Sequence, residues 1–315
     1  MPAKAKYWLC LAAICIAIGP VRVGASPVFH EFHLFECSGI PCVDMTLSPP
    51  GGDIKTLRLL IDTSGPNAYM DSKVAASNNL EVTPMAGSDG KPIEEIQQTI
   101  APGAKLGDLP MGDFPFLVLN LNDTSDDNTM KKGKTAPLPG DGALTFGSFK
   151  NRIVQLDFRN HVMRVSEPIT APEPAPPNSA ELIVKHFGNF GPVTIVTPGF
   201  SVNGTPIMAQ IDTLFTGTML IYPESVKKLD LQKQAKGRKK EDFPFWGGAK
   251  LVRGDAQTES FGTLQLLQDG PLYFTTTEGA THTPEGQFDA TVGIALLNGT
   301  TVTLDFVSNR VWLEK

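Results

Sequence analysis

Met208-Ala209-Gln210-Ile211-Asp212-Thr213 has a twin in Leu59-Leu60-Ile61-Asp62-Thr63, where an apolar run again ends in Ile-Asp-Thr. The likeness extends outward from these two stretches. Leu156-Asp157-Phe158 returns as Leu304-Asp305-Phe306, and Asp141-Gly142-Ala143-Leu144 returns as Asp289-Ala290-Thr291-Val292. Asp62 and Asp212 are 150 residues apart, and the other two pairs are 148 apart. Segments that keep one order and nearly one offset point to internal duplication, so two matching halves are expected around two aspartates.

Each half has the same local grammar. In the first, strands are expected over 29–35, 43–47 and 57–61, with a Pro49-Pro50-Gly51-Gly52-Asp53 turn inside the hairpin that feeds Asp62. In the second, 193–197 leads through an Asn203-Gly204 turn to 207–211 and Asp212. A short helix follows each Asp-Thr: Asp71-Ser72 introduces Lys73-Val74-Ala75-Ala76, and Pro223 opens Pro223-Glu224-Ser225-Val226 at a position where proline suits a first helical turn. Further strands are expected at 116–119 and 264–267. Five prolines fall within 168–177, which makes a stiff connector of residues 166–179. The halves are therefore residues 26–165 and 180–315.

Residues 1–25 read as an export signal: Lys4 and Lys6, the apolar run 7–18, and Val23-Gly24-Ala25 suited to cleavage. The alternative is an uncleaved anchor, but the run is shorter than the ~20 residues that span a bilayer. Export implies a secreted or periplasmic protein with no membrane contact once the signal is gone. Loss of Lys4, Lys6 and Arg22 from 27 basic residues leaves 24 against 33 acidic ones, a charge of −9 that disfavours nucleic acid. Cys37 and Cys42 can close a small loop in an oxidising compartment or remain two free thiols.

A strand ending in Asp-Thr, a loop, a helix, an Asp-Gly-x-apolar segment and an apolar-Asp-Phe strand, all occurring twice, resembles the aspartic proteases. Each half is similar to a retropepsin-like lobe, and the tandem is similar to the bilobal pepsin-like enzymes over roughly residues 28 to 315. The resemblance implies a mainly β, bilobal acid-protease-like fold, two small closed β-barrel lobes with short helices. It implies an aspartic endopeptidase, a monomer acting on a peptide or protein substrate. Asp62 and Asp212 would be its catalytic pair, with Thr63 and Thr213 bracing the opposite loops. Two carboxyls about 3 Å apart cannot both ionise cheaply, so they share a proton. One then serves as base toward water while the other polarises the scissile carbonyl, and neither metal nor cofactor is needed.

The chain departs from the Asp-Thr-Gly pattern: Ser64 and Leu214 stand where that glycine falls, and Thr145 replaces a second family glycine that Gly293 retains. Glycine suits a sharp turn beside the carboxylates, and Leu214 must find room for its isobutyl group. A catalytically silent relative that binds peptides or a partner protein in the same cleft is the alternative. Glycine-rich segments around Gly87 and Gly90, and around Trp246 and Gly247, are candidate flaps over the cleft. His30-Glu31-Phe32-His33 looks like a metal motif, but strand residues three apart face opposite sides.

Overall fold

The structure is a computed structural model that describes residues 27–49, 52–87, 90–121, 138–169, 175–186, 192–236, 239–243, 249–275 and 288–315. The expected export signal lies outside these residues. The chain is mainly β and bilobal, with two eight-stranded sheets, one in each half, and a six-stranded sheet to which both halves contribute.

In the first half, strand Lys55–Asp62 lies between Ile40–Leu47, antiparallel, and Gly142–Thr145, parallel. The second half repeats this around Thr205–Ile211, with Pro192–Val202 antiparallel on one side and Ala290–Val292 parallel on the other. The last four residues of Lys55–Asp62 are buried whichever face they take, which accounts for the near-continuous apolar run Leu59-Leu60-Ile61, whereas Thr205–Ile211 alternates buried and half-buried residues from Ile207 onward. A further ladder between Ile40–Leu47 and Pro92–Leu106 joins the first sheet back on itself. The ladder between Pro192–Val202 and Ala249–Phe261 does the same in the second.

Turn chemistry sets the entry to each aspartate. Asn203 (φ 48°) and Gly204 (φ 77°) both take the left-handed conformation of a tight hairpin, so Thr205–Ile211 starts in register with Val202. The two expected helices are Ser72–Ser77, capped by Asp71 accepting from the Lys73 N–H at 2.8 Å, and Pro223–Lys228, with proline in its first turn.

The expected single strand over 29–35 is two strands in different sheets. Phe29–His33 pairs with Val162–Ser166 in the shared sheet, whereas Phe35–Cys37 pairs with Ile40–Leu47 in the first lobe. Between them the Leu34 N–H donates to the His161 carbonyl at 2.8 Å and leaves both ladders. In the shared sheet the twinned Asp-Phe strands meet directly: Ile153–Asp157 runs antiparallel to Thr301–Asp305, with Gln155 opposite Thr303 at the centre. Ala180–Glu181 lies at the edge of this sheet, beside Arg310–Glu314.

Candidate active site

Asp62 is the last residue of its strand, and Asp212 directly follows the end of its own, so both begin loops that leave a buried sheet. Both are deeply buried, at 5% and 6% exposure. The adjoining threonines join the two loops. The Thr63 N–H donates to Thr213 Oγ1 and the Thr213 N–H to Thr63 Oγ1, each at 3.2 Å. Each hydroxyl then spends its proton across the interface, Thr63 Oγ1 on the Ile211 carbonyl at 2.8 Å and Thr213 Oγ1 on the Ile61 carbonyl. Four buried backbone groups are thereby satisfied by two side chains, so the loops carrying the aspartates are held together by bonds that leaving them apart would orphan.

Donors gather on Asp62. Its Oδ1 accepts from the Ser64 N–H (2.8 Å), the Ser64 hydroxyl (2.6 Å) and the Gly65 N–H (3.3 Å). Its Oδ2 accepts from the Tyr69 hydroxyl at 3.4 Å. Ser64 thus occupies the place of a glycine with a side chain that turns onto the carboxylate, while Gly65 passes close to it: a Cβ there would lie 3.3 Å from Asp62 Oδ2. Burial pushes the Asp62 carboxyl above its ordinary value, and the donors from Ser64, Gly65 and Tyr69 oppose that rise. On Asp212, Oδ1 accepts from the Leu214 N–H at 2.9 Å. Burial also drives the Tyr69 phenol well above its ordinary value, and the charges of Asp62 and Asp212 both add to the rise. One hydroxyl therefore senses both carboxyl groups.

Leu214 resolves its steric problem by crossing to the other lobe. Its partly buried side chain packs on a cluster of Ile40, Cys42, Leu60 and Ala143, on which Phe35, Cys37, Tyr69 and Leu138 also pack. Cys37 and Cys42 form a disulfide that closes the hairpin contributing to this cluster, and Thr216 approaches Gly39 at the hairpin's turn. The next residue, Phe215, turns the opposite way into the second lobe against Phe243 and Tyr273. Gly293 cannot be replaced beneath this loop, because a Cβ would meet the Phe215 and Gly217 carbonyls at 2.3 Å.

The chain matches no protein-family model, and no curated protein sequence matches it. Among solved structures it is similar to basic 7S globulin from soybean, with a TM-score of 0.51 and 11% identity over 91% of this chain and 95% of that one. It is also similar to an aspartic proteinase from Irpex lacteus (TM-score 0.49, 11% identity, 91% and 97% covered). A third is conglutin gamma, a basic 7S globulin from lupine seeds (TM-score 0.47, 13% identity, 92% and 95% covered). The fold is the bilobal acid-protease-like one. At such identities the likeness concerns the path of the chain, and the chemistry must be argued from this chain's own side chains.

Within the acid-protease-like frame the other duplicated aspartates serve local structure. Asp141 and Asp289 accept from the Arg58 and Met208 N–H groups at 2.7 and 2.8 Å, pinning twin strands. Asp157 and Asp305 accept from turn residues Asn160 and Ser308. Thr145 lies beside Asp62 in the parallel ladder. Gly87 and Gly90 lie between Val82–Ala86 and Pro92–Leu106, with the Gly90 N–H donating to the Gly87 carbonyl at 2.9 Å. Trp246 and Gly247 lie outside the described residues. Sequence reasoning missed Tyr69; the available signal was a hydroxyl seven residues beyond Asp62, where the second half has the apolar Met219.

Proposed function

We propose that the chain is an exported aspartic-type endopeptidase that hydrolyses peptide bonds with water activated between Asp62 and Asp212. The observation that carries this reading is the reciprocal Thr63–Thr213 exchange, which ties together the loops of two buried carboxyl groups that both act on Tyr69. In so dry a setting the pair retains one proton until the pH is well above the ordinary carboxylate range. The ionised member takes a proton from water as its oxygen attacks the carbonyl carbon, and the protonated member gives its proton to the carbonyl oxygen. The resulting diol collapses with proton transfer to the departing amine, returning the pair to its starting state. The disulfide and the N-terminal signal pattern support an oxidising, extracytoplasmic setting.

A second reading, a catalytically silent binder of extended peptides, is favoured by Leu214, whose side chain bridges the lobes beside the carboxyls. One experiment separates the two. Parent protein, Asp62→Asn and Asp212→Asn are incubated with a denatured protein between about pH 3 and 7, a window that brackets shifted carboxyl groups, and binding of labelled peptides is measured in parallel. Cleavage by the parent alone supports the peptidase. Equal traces for all three overturn it, and peptide binding without cleavage then supports the second reading.

A further inference from the structure

Tyr69 lies on a short strand, Tyr69–Asp71, held on both sides: antiparallel to Gly142–Thr145 and parallel to Leu109–Leu119. Its backbone therefore moves only with the first sheet. Its ring packs on the apolar cluster that also receives Leu214 from the opposite lobe, which restrains the side chain. From this position the hydroxyl reaches Asp62 Oδ2 at 3.4 Å, the oxygen left free by Ser64 and Gly65, which both occupy Oδ1.

We propose that Tyr69 is a positioning residue for the Asp62–Asp212 pair, a fixed hydroxyl donor that keeps Asp62 as the ionised member and turns its Oδ2 toward the attacking water. This rests on the peptidase reading for its catalytic consequence, but the effect on protonation stands without it. A phenol donates more strongly to a charged carboxylate than to a neutral carboxyl group, so the contact favours the charged form of Asp62. The Ser64 hydroxyl and the Ser64 and Gly65 N–H groups act in the same direction on Oδ1. Because burial and both neighbouring charges keep the phenol from ionising, it remains a donor throughout the pH range in which the carboxyls titrate. In the second half the residue at the same register position is Leu220, fully buried and apolar, so a phenol stands at only one of the two twin positions. A phenol at one twin position alone breaks the near-symmetry that duplication gave the site.

The test is a carboxyl NMR titration of aspartate-labelled protein, with Asp62→Asn identifying the Asp62 resonance. In Tyr69→Phe the Asp62 midpoint should rise by roughly half to one pH unit, the loss of one hydrogen bond to a charged group. Ser64→Ala should move it in the same direction. If the parent cleaves protein, the acid limb of its kcat/KM profile should move upward by the same amount in Tyr69→Phe, with KM little changed. An Asp62 midpoint unmoved in a folded Tyr69→Phe protein would overturn the proposal. A moved midpoint in a protein that cleaves nothing would support the positioning of Asp62 and count against the peptidase reading alone.

Discussion

Thr63 and Thr213 each donate a backbone N–H to the other's hydroxyl at 3.2 Å, and each hydroxyl donates onward to a carbonyl of the opposite lobe. The bonds are buried and reciprocal, so removing one hydroxyl strands two backbone groups on the opposite lobe. Thr63→Val leaves the Thr213 N–H and the Ile211 carbonyl without these partners, at an expected cost of about 2–4 kcal/mol for two orphaned polar groups. Thr63→Ser keeps the hydroxyl and should lose less than about 1 kcal/mol. Denaturant unfolding of the parent and both variants measures the difference, and equal losses in the two variants would show that the hydroxyl is not what matters.

Leu214 makes a different kind of lobe contact. Its side chain packs on Ile40, Cys42, Leu60 and Ala143 of the first half, so Leu214→Gly removes an apolar bridge and frees the loop backbone. The expected loss is about 2 kcal/mol for a partly buried leucine. Cleavage per folded molecule should be at least that of the parent, because the glycine clears space beside the carboxyls. A Leu214→Gly protein as stable as the parent would show that the bridge carries no weight.

Much of this was legible before any coordinates. The repeated Ile-Asp-Thr was readable because the apolar run of each strand ends on a buried isoleucine, and the aspartate that follows marks the point at which the chain leaves the sheet. The helix caps and the Asn203-Gly204 turn were legible for equally local reasons. What failed were questions of partner. The pattern of 29–35 fits one strand, yet the chain changes sheets at Leu34 because the His161 carbonyl, distant in sequence, takes its N–H. Leu214 could be seen to need room, but the receiving cluster belongs to the other half. Tyr69, in a buried strand, reads as ordinary core until its hydroxyl is found at Asp62.

Glu259 should make the second lobe sensitive to alkali. It is 1% exposed on strand Ala249–Phe261, neither carboxyl oxygen has a hydrogen-bond partner among the described residues, and burial raises its pKa from the ordinary 4.5 to about 8. The folded state therefore holds a proton that the unfolded state releases above about pH 4.5. Stability is fully present below that value and falls as the pH rises to about 8, beyond which both states are ionised. Glu259→Met, similar in volume and without charge, should be more stable than the parent at pH about 8.5 by a few kcal/mol, with a smaller difference at pH about 4.5. Urea midpoints at the two pH values test this, and parallel pH dependence in parent and variant would refute it.

His30 should reinforce that preference from the first half of the chain. Its imidazole lies between Asp108, 2.8 Å from Nδ1, and Glu167, 2.7 Å from Nε2, and these hydrogen bonds raise its pKa above the ordinary 6.5. The sign is that of a cation gaining partners. Its contribution is fully present below about pH 6.5 and is lost as the pH rises through the higher folded value. His30→Gln should thus lower Tm at about pH 5 and differ little from the parent at about pH 9, since the neutral imidazole has no ion pairs to lose. His30 and Glu259 share no hydrogen-bond partner, so in the double variant His30→Gln, Glu259→Met the two effects should add. The sum should flatten the fall of Tm between pH 5 and 9 more than either change alone, and a double variant no flatter than Glu259→Met would exclude His30 as a source of the acid preference.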